Sequence, residues 1–344
     1  MEPEIKFKNH QIDIIFKKDN YLINGNGEFL IQKNYDKIKY KIQKVKDQYL
    51  FNAELDFIKN PINLDFLNYK LDDKSEFSLK FDGKFLKDKT LDFNKIKFKN
   101  SSDYITFENL QFTKDFKISN LRSAIFNYTD IENKKNIYQI KNKKENYIIS
   151  GKVLNASKLI EDLLFKDSES KNIFYKDKVL KLDFKEVYLH DNHIVYNLKG
   201  NLKFEDNNIT NANIKSQFND NEKLTFTIIS NDNQKVTTLF SDQAKPFVKK
   251  FNFIKGFERG SLDFYSVKSN GTTSSKLKIY DFSLKELPAL TKILTLASLQ
   301  GIADLLSGEG IGFSELEMNF QNKDELMTIN EIYALGPAIS VLMD

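Results

Sequence analysis

KLKIYDFSLKELPALTKILTLASLQGIADLLSGEGIGFSELEMNFQNKDELMTINEIYALGPAISVLMD runs from Lys276 to Asp344, and its apolar residues change period twice. Leu277 and Ile279 alternate with Lys276 and Lys278, the period-two pattern of a strand with one wet face. From Leu287 to Leu306 the spacing becomes helical, with Pro288 near the start and Gly308 past the end. Leu287, Leu290, Leu294, Leu299, Ile302 and Leu306 belong to this segment, which covers more than one helix face and reads as a packed insert or cap. After Gly308-Glu309-Gly310-Ile311-Gly312, alternation returns at Leu316, Met318 and Phe320.

The same alternation dominates the rest of the chain. Phe77, Leu79 and Phe81 point one way, Ser78, Lys80 and Asp82 the other; Leu180, Leu182 and Phe184 oppose Lys181, Asp183 and Lys185. It recurs at Ile105/Phe107, Phe116/Ile118, Leu224/Phe226/Ile228 and Leu262/Phe264. Asn24-Gly25, Asn26-Gly27, Asp82-Gly83, Lys199-Gly200 and Asn270-Gly271 read as hairpin turns between such runs. The expected fold is mainly β, an elongated, curled antiparallel sheet with a few short helices. These helices are placed near 156–166 (capped by Asn155 or Ser157), 243–253 and 286–307. A division at residue 150 separates a repeated-strand region, 1–150, from a C-terminal region, 151–344, that holds the helical insert.

Composition excludes several functions. Basic and acidic residues nearly balance, 52 against 48, and only Arg122 and Arg259 are arginines. Dispersed lysine without arginine's planar fork argues against a nucleic-acid partner. The absence of cysteine removes disulfides, thiolate zinc sites and cysteine nucleophiles together. His190 and His193 meet at a strand end without a Cys or Glu to complete a ligand set, so no metal is expected. No G-x-S-x-G elbow occurs, and the glycines at 308–312 lack the Gly-Lys-Ser/Thr ending of a phosphate loop. Neither an enzyme nor a bound cofactor is expected. The N-terminus has no apolar signal core, and no run reaches the roughly 20 apolar residues of a membrane span.

Many strands with one apolar face each leave more apolar surface than three short helices can cover. Either the sheet closes into a sandwich core, or it keeps a lined groove, and the pattern alone admits both. On the groove reading, Phe77, Leu79, Phe81, Leu180, Leu182, Phe184, Leu262 and Phe264 line it and Lys80, Lys181 and Lys185 face water.

A resemblance favours the groove. Asp281-Phe282, Leu287-Pro288-Ala289-Leu290, Leu296-Ala297-Ser298-Leu299, Gly301-Ile302, Leu305 to Ile311, Phe313 and Gly336-Pro337-Ala338 together resemble the C-terminal region of AsmA-like proteins of the long YhdP type. Upstream, Asp242-Gln243-Ala244, Phe257 to Leu262, Leu154-Asn155-Ala156 and Leu182 to His190 are similar more weakly. The resemblance implies a non-enzymatic protein of the Gram-negative envelope. It implies transport of phospholipid or another envelope lipid between inner and outer membranes, and a role in outer-membrane biogenesis. It also implies a periplasmic location with an inner-membrane anchor at the N-terminus of the intact protein, of which this sequence is then a fragment. The alternative is a structural or assembly module that engages envelope protein partners through its sheet edges.

Overall fold

The computed structural model describes residues 6–17, 20–31, 34–71, 76–86, 90–144, 146–160, 177–190, 192–205, 208–231, 233–251, 256–286, 300, 303, 307–308, 310–324, 326–338 and 340–343. The fold is mainly β and antiparallel throughout its described pairings. Two compact units divide it: the first holds residues up to Asn155 and the start of the next strand as far as Leu180, and the second takes the strands from Lys181 onward.

In the first unit the strands are β1 (Phe7–Lys17), β2 (Asn20–Ile31), β3 (Asn34–Val45), β4 (Gln48–Phe57), β5 (Ile62–Leu64), β6 (Tyr69–Leu71), β7 (Phe77–Leu86), β8 (Thr90–Lys99), β9 (Tyr104–Thr113), β10 (Ile118–Thr129), β11 (Lys135–Lys143) and β12 (Asn146–Asn155). Ten of them pair in sequence order as a meander, with β5 and β6 set aside as a separate hairpin. Register decides the faces. One row across all ten strands reads Ile12, Gly25, Tyr40, Ala53, Phe81, Ile96, Phe107, Ala124, Ile140, Ile149. The row one residue away reads Asp13, Asn24, Lys41, Asn52, Asp82, Lys95, Glu108, Ser123, Lys141. Because successive side chains alternate faces, a slip of one residue would exchange these rows, which is what holds the register.

The β5–β6 hairpin and the short 3-10 turn Asp65–Leu67 between its strands form a flap over one end of the apolar face. Leu67 and Tyr69 are buried there with Ile105, Phe126 and Tyr128. A side-chain staple ties its base to the sheet. Asp36 Oδ1 accepts from the backbone N–H groups of Ile58 and Lys59, both at 3.0 Å, and Oδ2 accepts from Asn60 Nδ2 at 2.8 Å. Removing a buried charged acceptor strands three donors, so Asp36→Ala is expected to lower stability by about 3 kcal/mol. Urea denaturation measures this, and a loss under about 0.5 kcal/mol would show that the staple is dispensable.

The second unit contains the later part of β13 (Lys178–His190), then β14 (His193–Glu205), β15 (Asn208–Gln217), β16 (Lys223–Ser230), β17 (Lys235–Ser241), β18 (Phe257–Glu258), β19 (Ser261–Ser269), β20 (Thr272–Leu284), β21 (Ile311–Lys323), β22 (Leu326–Leu335) and β23 (Ser340–Met343). Strands β14 to β17 and then β19 to β23 pair antiparallel in succession, and β18 pairs β20. The inner row Ser216, Leu224, Ser241, Leu262, Ile279, Leu316, Ala334 is buried along its whole length. A helix at Lys245–Phe251 contributes buried Phe247 and Val248, close to the expected 243–253 and with the expected spacing from Ala244. Strands β20 and β21 pair directly up to Leu284 and Ile311. Asp281 lies at φ +51 and shifts the alternation of β20, so that Phe282 joins Leu277 and Ile279 among the buried residues. Phe282 stacks between Phe257 and Phe313, with ring centroids 5.3 and 5.1 Å apart.

Several expectations need correction. Only Asn270-Gly271 is a turn, joining β19 to β20. Asn24-Gly25 and Asn26-Gly27 lie inside β2, Asp82-Gly83 inside β7 and Lys199-Gly200 inside β14. These glycines are needed for space, not for turning: a Cβ on Gly25 would stand 2.1 Å from the Tyr40 ring. Phe116 is not in a strand but at the β9–β10 turn, at φ +56. At the start of the helical turn over 157–160 the Ile160 N–H donates to the Ala156 carbonyl at 2.9 Å, and the Asn155 amide donates to Asp130 Oδ2 at 2.8 Å and Glu132 Oε2 at 3.0 Å. The expected helix over 286–307, with Leu287, Leu290, Leu294, Leu299, Ile302 and Leu306, lies almost wholly outside the described residues. Most of the described strands run seven to thirteen residues, longer than the usual five or six.

Candidate functional site

The apolar face of the first unit is paved with aromatic rings. Across β4 to β11 a chain of contacts runs Phe57–Phe77–Phe98–Phe107–Phe126–Tyr138, with centroids 4.4 to 6.4 Å apart. Towards the opposite strand ends a second chain runs Phe16–Tyr21–Tyr49–Phe85, each step 6.4 Å. Tilted and edge-on rings at such distances attract each other beyond the area they bury. Glycines make the paving possible. Gly83 sits between Phe51 and Phe93 in the register, and its missing side chain lets those rings meet edge-on at 5.5 Å above it. Tyr40 covers Gly25 and places its hydroxyl 3.2 Å from His10 Nε2.

This face differs from that of the second unit. Ile23, Ile42, Phe51, Phe81, Phe93, Ile96 and Phe98 stay half-buried, whereas Leu224, Leu239, Leu262, Ile279 and Leu316 are buried. The second unit also carries buried Ser216, Ser241, Ser266 and Ser275 among its inward residues, small groups that permit close packing. In the first unit the half-covered rings of β4 to β8 form a wall, while Ile105, Ala124, Phe126, Tyr128 and Tyr147 are buried beneath the flap; in the second unit the row through Leu262 and Ile279 is covered throughout.

The residues expected to line a groove divide accordingly. Leu79 and Phe81 are half-buried on the paved face, and Phe77 is buried there between Phe57 and Phe98. Leu180 packs against the flap cluster of the first unit. In the second unit Leu182 and Phe264 are half-buried, while Phe184 and Leu262 are buried. Lys80, Lys181 and Lys185 are exposed. Sequence reasoning passed over Phe51, Phe93, Phe98 and Phe126, although Phe51 and Phe93 each fall in an alternating run once Gly83 is placed within a strand.

Polar groups end the paved face near the flap. Tyr69 donates to Asp103 Oδ2 at 3.2 Å, and Lys135 reaches Asp103 Oδ1 at 3.2 Å. Burial, and then the Asp103 carboxylate, raise the Tyr69 phenol above its ordinary range. Burial pushes Tyr128 up to about 12 and raises its neighbour Tyr138 well above 10. A phenol raised on folding leaves stability intact below pH 10 and removes it as pH climbs from 10 through 12, because the unfolded chain ionises first. For Tyr128 the loss amounts to about 3 kcal/mol. Alkaline unfolding of the first unit is expected in that window, and Tyr128→Phe is expected to flatten the fall; an unchanged pH profile would contradict the assignment.

His190 and His193 meet where β13 gives way to β14, with His193 Nδ1 3.2 Å from the His190 carbonyl oxygen. Among the described residues no group of three or more His, Cys, Asp or Glu is placed to hold a metal. Nor is any described helix long and apolar enough to cross a membrane. No family model, no curated protein and no solved structure matches this chain.

Proposed function

We propose that the chain handles lipid without catalysis, holding the acyl chains of a phospholipid or another envelope lipid along the paved face of the first unit. The observation that carries this is the part of the apolar face over β2 to β8 where Ile23, Ile42, Phe51, Phe81, Phe93, Ile96 and Phe98 remain half-buried, backed by a polar face of Lys, Asn, Asp and Glu. Ordinary folding would cover such a surface, and contiguous exposed apolar area beyond a few hundred Å² marks binding. Each methylene moved out of water contributes about 0.8 kcal/mol, so half-burial of one long acyl chain supplies roughly 6 kcal/mol towards offsetting extraction from a bilayer. The mechanism is passive: acyl chains slide over the rings and headgroups stay in water.

The resemblance to AsmA-like proteins gives this reading its setting, movement of lipid between inner and outer membranes in the periplasm. Native mass spectrometry of protein purified without detergent tests it. Lipid adducts on the intact chain are expected, and a chain that stays free of adducts after incubation with phospholipid would reject it.

A further inference from the structure

One long edge of the first unit differs chemically from the other. The strand ends and hairpin tips at this edge are the end of β1, the β3–β4 turn, the end of β7, the β9–β10 turn and the β11–β12 turn. They carry Lys44, Lys46, Lys114, Lys117, Lys143 and Lys144 against Asp47 and Asp115, and none of these six lysines joins an ion pair among the described residues. The opposite edge mixes Asp65, Glu76, Asp103, Asp130 and Glu132 with Lys59, Lys70, Lys99, Lys134 and Lys135 in its turns and strand ends, so its charges nearly cancel and Lys135 pairs with Asp103. Three aromatic residues project at the basic edge: Phe116, 76% exposed, Phe16, 73% exposed, and Phe85.

Phe116 is the telling one. It occupies the turn at φ +56, a conformation that suits glycine or asparagine and penalises a bulky side chain. The turn closes through the backbone, Phe116 N–H donating to the Thr113 carbonyl at 3.0 Å, and uses nothing of the ring. Folding therefore gains nothing from phenylalanine here, and its solvation loses. Lys114 and Lys117 flank it. An exposed ring between lysines at a loop tip matches the chemistry of the bilayer interface: the ring enters the boundary between headgroups and acyl chains while ammonium groups meet anionic headgroups.

We propose that this edge of the first unit docks on an anionic bilayer surface, led by the Phe116 tip and supported by the neighbouring lysine tips. Antiparallel strands about 4.8 Å apart bring successive tips to one border of the sheet, so the contact is multivalent. The proposal stands apart from the acyl-chain reading, since a protein can dock without taking up lipid.

Co-sedimentation of the full chain with vesicles tests it, comparing 30% phosphatidylglycerol in phosphatidylcholine with phosphatidylcholine alone. Wild type is expected to bind the anionic vesicles and to be released by high salt. Lys114→Gln and Lys117→Gln should each weaken partitioning about fivefold. Phe116→Asn should weaken it further while leaving the thermal midpoint equal or higher, which separates lost docking from lost folding. Phe66→Asn, at the opposite edge, should bind vesicles as wild type does. No binding by wild type, equal binding to both vesicle types, or unchanged binding by the Phe116 and lysine variants would overturn the proposal. So would a loss in Phe66→Asn as large as in Phe116→Asn.

Discussion

Leu262→Asp is expected to unfold the second unit. Leu262 is 3% exposed and sits in the register between Ser241 and Ile279, themselves buried. A carboxylate there meets hydrocarbon and hydroxyl groups with no cation in its row, so it must either stay charged without a partner or take up a proton at high cost. The expected loss exceeds about 4 kcal/mol, a large part of the whole stability of an ordinary domain. Circular dichroism and urea denaturation read it directly. A folded Leu262→Asp protein of near wild-type stability would mean that this face is a wall open to solvent and not a core.

Phe81→Asp in the first unit is expected to behave in the opposite way. Phe81 touches Phe51 and Phe93 edge-on at 6.0 and 5.8 Å, but it remains half-buried. An aspartate at that position keeps contact with water, so the cost is chiefly the lost ring contacts, about 1 kcal/mol apiece. The sheet should persist. Lipid retention should fall to near nothing, because the charge stands in the middle of the row that acyl chains must cross. The same substitution thus separates two faces that look alike in sequence: unfolding on one, loss of ligand on the other.

That likeness explains how far the sequence could be read. Period-two alternation at Phe77 to Asp82 and at Leu316 to Phe320 placed β7 and β21 correctly, because a half-buried strand leaves no other periodicity. Alternation does not say what covers the apolar side. Leu262 and Leu79 occupy equivalent places in their runs, yet one is buried and the other half-buried, and the difference comes from neighbours distant in sequence. The Asn-Gly and Asp-Gly pairs misled for a related reason. A glycine that seats a ring from a neighbouring strand has the same local sequence as one that turns the chain, and only the pairing of Gly25 with Tyr40, or of Gly83 with Phe51, tells them apart. The staple at Asp36 was equally hidden: its partners Ile58, Lys59 and Asn60 lie more than 20 positions away and carry no motif.

Native mass spectrometry of the detergent-free full chain, run beside its Phe81→Asp variant, tests the central claim most directly. The expected spectra show wild type carrying mass increments of one or more lipids, and a variant of native circular dichroism carrying none. A wild-type chain that remains bare in the presence of phospholipid, or a folded Phe81→Asp protein with as much lipid as wild type, would contradict the assignment of this face.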